Sequence, residues 1–101
     1  MIVEFNTAAL AELESAAAHY RSISDELGEA SLAEAERALK RIVELPGAWQ
    51  PLGKGLRRYL LNRFPYGIVF RLRDDRIKIY AVMHLKRRPG YWRKRQKHIA
   101  T

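Results

Sequence analysis

Two runs of alternating apolar residues, Tyr66 to Arg73 and Arg76 to His84, flank the dipeptide Asp74-Asp75. Strands joined by a two-residue loop form an antiparallel hairpin, and the loop fixes their register. Asp-Asp is a weaker turn signal than Asp-Gly, yet the flanking periodicity leaves little choice. With these two residues as the loop, Arg73 pairs with Arg76, Leu72 with Ile77, Phe70 with Ile79, Ile68 with Ala81 and Tyr66 with Met83. That register gathers an apolar face. The other face carries Arg71 opposite Lys78, Val69 opposite Tyr80 and Gly67 opposite Val82, with His84 ending the row beside Pro65. A lone hairpin is marginal in water, so the rest of the chain has to cover the apolar face.

The preceding sequence supplies that cover. Ile2 to Phe5 reads as a short strand. Asn6 or Thr7 can cap a helix running to Arg21, with Leu10, Leu13, Ala17 and Tyr20 on one face and Glu12 and Glu14 off it. Ser22-Ile23-Ser24-Asp25 interrupts the pattern. A second helix begins at the Ser24 cap or at the capping-box pattern Ser31-Leu32-Ala33-Glu34. Its stripe is Leu27, Ser31, Ala35, Ala38, Leu39, Ile42 and Leu45, and Pro46-Gly47 stops it. Pro46 to Gly55 reads as a loop in which Trp49 plugs one end of the core, and Leu56 to Asn62 as a strand. The order is β-α-α-β-β-β. It predicts an α+β fold with an N-terminal strand, a two-helix antiparallel hairpin, a twisted antiparallel sheet and a short basic C-terminal tail or helix. At 101 residues this is one domain, 1–101, with a modest core.

Composition narrows the partners. Residues 1–53 carry four Lys/Arg against nine Asp/Glu, and residues 54–101 carry fifteen against two. A basic half of this kind seeks phosphate or an acidic polypeptide. There is no cysteine, which fits a reducing compartment. No apolar run approaches the roughly 20 residues of a membrane span, and the N-terminus lacks the basic flank of a signal peptide. The expectation is a soluble, cytoplasmic protein with no membrane partner.

The chemistry concentrates between Phe64 and Arg95. Arg71 and Lys78, side by side on one strand pair, repel each other unless an anion covers them. Tyr80 adds a flat surface beside them. His84 ends the same row, and Lys86, Arg87 and Arg88 follow it directly. A neutral imidazole in such a place could accept or relay a proton. No second histidine or carboxylate lies at metal-ligand spacing, so neither a metal nor a cofactor is expected. The tail interleaves Lys86, Arg87, Arg88, Arg93, Lys94 and Arg95 with Tyr91 and Trp92. That composition suits phosphate contact with base stacking, or a solvated basic end with both aromatics tucked against the sheet.

The chain resembles the RelE/ParE superfamily of bacterial toxins from type II toxin–antitoxin operons. The similarity rests on Arg57-Arg58 before the hairpin, on Phe64-Pro65-Tyr66 opening a strand, and on His84-x-x-Arg87-Arg88-x-x-x-Trp92 after the last strand. It covers nearly the whole chain and is closest to ParE-like "plasmid stabilisation" sequences. The resemblance implies a cognate antitoxin whose C-terminal segment wraps the toxin, hence a hetero-oligomer. It also implies one of two targets. ParE-like members poison DNA gyrase without catalysis, and the local similarity places this reading first. RelE-like members cut mRNA on the ribosome. In that branch His84 would be the acid/base, Arg58, Arg71 and Arg88 would stabilise charge, and Tyr91 or Trp92 would stack on a base. Arg57, Lys78, Tyr80, Lys86, Arg87, Arg93, Lys94 and Arg95 would contact nucleic acid or another target in either branch. A third reading is a non-toxic nucleic-acid-binding domain.

Overall fold

The computed structural model describes residues 1–96. Strand β1 (Ile2–Phe5) leads into helices α1 (Thr7–Ile23) and α2 (Asp25–Glu44). A 3-10 turn at Pro46–Ala48 follows, then β2 (Gln50–Gly53), β3 (Leu56–Leu60), β4 (Tyr66–Arg73) and β5 (Arg76–His84). The sheet order is β1-β5-β4-β3-β2. All neighbours are antiparallel except β1, which runs parallel to β5. The fold is therefore the expected α+β arrangement with one strand more. The segment read as a loop contains β2, which closes onto β3 through Gly53-Lys54-Gly55. All three residues have positive φ (90°, 55° and 80°), a path that glycine makes accessible.

Local chemistry sets the helix limits. The Asn6 Oδ1 accepts from the Ala8 N–H at 2.9 Å and caps α1. Ser24 serves both helices. Its N–H donates to the Tyr20 carbonyl at 3.1 Å, and its Oγ accepts from the Leu27 N–H at 3.1 Å. One extended residue (φ −162°, ψ 151°) thus reverses the chain. This places the start of α2 at Asp25, the earlier of the two expected starts. Gly28 lies where the helices cross, since a Cβ there would sit 2.8 Å from the Arg21 Cβ.

The helices cover one face of the sheet. Ala9, Ala38 and Ile42 pack on Tyr59, Ile68, Phe70, Ile77, Ile79 and Val82. The buried stripe of α1 centres on Ala9, Ala16 and Ala17, while Leu10 is exposed. The stripe of α2 includes Glu34 but not Leu45, which is exposed. The Glu34 carboxylate accepts from the Asn62 N–H at 2.5 Å and the Arg63 N–H at 3.1 Å, and so holds the β3–β4 loop.

The opposite face has a second apolar cluster of Leu56, Val69, Tyr80, Ala81, Met83 and Trp92. Trp92 comes from the tail, which folds back in successive turns, including Arg87 N–H to His84 C=O and Arg95 N–H to Trp92 C=O, both at 3.0 Å. Arg95 and Gln96 are helical, and the whole of the expected basic tail, Lys86 to Arg95, lies within the described residues.

The hairpin register departs from expectation halfway along. Arg73–Arg76, Leu72–Ile77, Arg71–Lys78 and Phe70–Ile79 pair as expected. Beyond them Val69 pairs with Ala81, Ile68 with Val82, Gly67 with Met83 and Tyr66 with His84. Tyr80 is the extra residue of a β-bulge. A shift of one residue moves every later side chain to the other face. Val82 and His84 therefore turn toward the helices, and Ala81 and Met83 turn away. Tertiary partners hold the bulge where β1 no longer reaches. The Val82 N–H donates to Glu12 Oε1 and Arg95 Nη1 donates to the Tyr80 carbonyl, both at 3.0 Å.

Candidate functional site

The bulge divides the expected site in two. Arg71, Lys78 and Tyr80 share the face away from the helices, and the register puts Arg58, opposite Val69, with them. His84 does not join them. Its ring packs edge-on against Tyr66, with centroids 5.0 Å apart, beside α1. The single row ending in His84, expected from an unbroken register, is corrected by the one-residue slip.

On the Arg71 face Arg58, Arg71 and Lys78 each have a protein partner. Arg58 Nη2 donates to Gln50 Oε1 at 2.8 Å, and Arg71 Nη2 donates to the Lys54 carbonyl at 2.7 Å. The Nε of both arginines is buried and finds no acceptor among the described residues. Lys78 Nζ lies 3.5 Å from Glu4 of β1, which also bonds Arg76. The Arg76 hydrogen bond, helped by the charge of Lys78, holds the Glu4 carboxyl below its usual range. Tyr80 is only 3% exposed, so its ring forms a floor under the Arg71 guanidinium, 5.9 Å away. Arg57, next to Arg58 in sequence, points to the opposite face and donates to the Trp49 carbonyl at 2.8 Å.

On the His84 side a cavity of about 140 Å³ is lined by Glu12, Ser15, Tyr66, His84, Arg87 and Tyr91, among others. The His84 Nδ1 accepts from the Lys86 N–H at 3.0 Å. In the neutral ring this leaves the proton on Nε2. The hub is Glu12, which sequence reasoning placed off the packed face of α1. Besides Val82, it accepts from the Tyr91 hydroxyl at 2.5 Å and Arg95 Nη1 at 2.8 Å, and Arg87 lies 3.6 Å away. Burial, reinforced by the Glu12 hydrogen bond, pushes the Tyr91 phenol well above its usual pKa. Burial likewise raises that of Tyr66.

The tail aromatics take the tucked arrangement. Trp92 is 2% exposed, and the Tyr91 ring is covered by the guanidinium of Arg87 at 3.8 Å. Lys86, Arg87, Arg88, Arg93 and Lys94 are exposed around this strap, while Arg95 is drawn into the Glu12 hub. Glu12 was legible only as a carboxylate one turn from a packing stripe; nothing local marks it as the anchor of residues 79 and 83 positions away.

Among the described residues, no helix is long and apolar enough to cross a membrane. Comparison with curated proteins finds no matching sequence. A solved structure described as "Chromosomal ParDE TA system from P. aeruginosa" contains a chain similar to this one at 23% identity. The match covers 85% of this chain and 97% of that one with a TM-score of 0.64, which supports the fold. A family model described as "ParE toxin of type II toxin-antitoxin system, parDE" matches residues 3–89, the span that builds both faces of the sheet. The chain belongs to the ParE toxin family, as the toxin component of a type II toxin–antitoxin system whose protein partner is an antitoxin.

Proposed function

We propose that this toxin acts by binding DNA gyrase and arresting it, with no bond made or broken by the toxin itself. One observation supports this over mRNA cleavage. Attack of a ribose 2′-OH on its phosphate needs an acid/base and charge-stabilising cations around the same phosphate. Here His84 faces α1, while Arg58 and Arg71 stand on the other face of the sheet. A contact-based inhibitor has no such requirement and can use the exposed cations of the strap, Lys86, Arg87, Arg88, Arg93 and Lys94, as they stand.

The test is plasmid supercoiling by purified gyrase with increasing toxin, run beside mapping of mRNA 5′ ends on translating ribosomes. Inhibited supercoiling with unchanged mRNA ends is the expected result. New mRNA ends with normal supercoiling would reverse the assignment. His84→Ala should leave gyrase inhibition within about twofold of the parent, in keeping with a side chain outside the contact surface.

A further inference from the structure

The turn end of the β4–β5 hairpin carries a cleft of about 200 Å³ that the gyrase reading does not use. Its walls are Arg71, Arg73, Arg76 and Lys78, with Glu4 and Asp74 the carboxylates in it and Tyr80 the floor. The geometry points to a binding site for the phosphodiester backbone of DNA.

Register brings the cations together. Arg73 stands directly opposite Arg76, and Arg71 directly opposite Lys78. Like charges in facing positions destabilise a strand pair, and this hairpin has two such pairs in sequence. Compensation is partial. Glu4 bonds Arg76 and lies near Lys78. Arg71 is tied to a neutral carbonyl, its Nε lacks an acceptor among the described residues, and no ion pair to Arg73 is formed among them. Four cations against two carboxylates leave the cleft positive.

The composition selects DNA over an acidic protein. Protein–protein hot spots combine arginine with accessible Trp or Tyr anchors in desolvated pockets. This cleft has no such anchor, because Tyr80 is buried as its floor. Interfaces with DNA are polar and strongly positive, and about half or more of their hydrogen bonds go to phosphate and sugar. Cations on two adjacent strands match a repeating anion. Such contacts carry no base sequence, so binding should be indifferent to sequence.

The site needs no gyrase, so its test uses the full-length chain alone and its failure leaves the gyrase reading untouched. Binding to a short labelled duplex is followed by fluorescence anisotropy across a salt series. The double variant Arg73→Gln/Lys78→Gln should weaken binding about tenfold or more and flatten the log–log salt slope by about 2. Arg37→Gln/Lys40→Gln on α2 removes the same charge elsewhere and should change affinity less than about twofold. Equal losses in the two doubles would mean diffuse attraction to a basic chain and would overturn the site. So would a cleft double that loses labelled poly-glutamate but keeps the duplex. Asp74→Asn covers the case in which the double fails to fold. Asp74 has φ 56°, a conformation that asparagine tolerates, and the change removes one negative charge from the cleft. Tighter duplex binding is expected; no tightening would end the proposal.

Discussion

Glu12 shows how much one side chain can organise. Its carboxylate is 16% exposed and receives a strand N–H, a phenol and a guanidinium. Glu12→Gln keeps the shape but turns an NH2 toward Arg95 and removes the charge that the strap encloses. Stability should fall by about 2–4 kcal/mol, read from urea unfolding. Tyr91 gives a pH signature. Its folded pKa is raised above the ordinary 10.0, first by burial and then by Glu12, so the fold favours the neutral phenol. The associated stability is complete below pH 10.0 and is lost as pH rises toward the folded value, because only the unfolded chain ionises readily. Alkaline titration of the unfolding free energy should therefore show a decline above about pH 10 that is shallower in Tyr91→Phe.

Among the elements, the helix crossing and the bulge were read with very different success. The two helices were legible because Asn6 and Ser24 cap them locally and Pro46 ends the second. Gly28 lies inside α2. In a free helix Gly→Ala gains about 1 kcal/mol. Here the new methyl would meet the Arg21 Cβ at 2.8 Å and its Cα at 3.0 Å, so the helices would have to part. Gly28→Ala should destabilise by about 1–3 kcal/mol; a higher thermal midpoint would show that the crossing yields easily. The bulge at Tyr80 left no trace in the sequence. Ala81-Val82-Met83 is apolar throughout, so either register buries acceptable side chains, and the alternation pattern is silent just where the slip occurs.

At the scale of the molecule, the sheet is closed on both sides by different means. Helices cover one face, and the strap ending in Trp92 covers part of the other. Trp92→Ala would empty a site bounded by Leu56, Val69 and Met83 and should cost about 3–5 kcal/mol, a large share of the stability of a small domain. Denaturant unfolding checks it, and a loss below about 1 kcal/mol would show that the strap is not part of the core. The same closure makes Trp92 a packing anchor and Tyr91 a hydrogen-bonding one, the tucked of the two expected arrangements, while Lys86, Arg87, Arg88, Arg93 and Lys94 stay exposed on the outside.

The sequence by itself determined the two helices, every strand except β2, the turn-proximal half of the hairpin and the basic character of the C-terminal half. Each of these rests on residues within a few positions of one another or on charge count. Only the tertiary structure decided which face His84 occupies and that Glu12 ties α1 to the strap. The physical reason is shared. The bulge is fixed by Glu12 on Val82 and Arg95 on Tyr80, bonds spanning 70 and 15 residues. A period-2 pattern carries no record of where such a distant partner lets a strand slip by one.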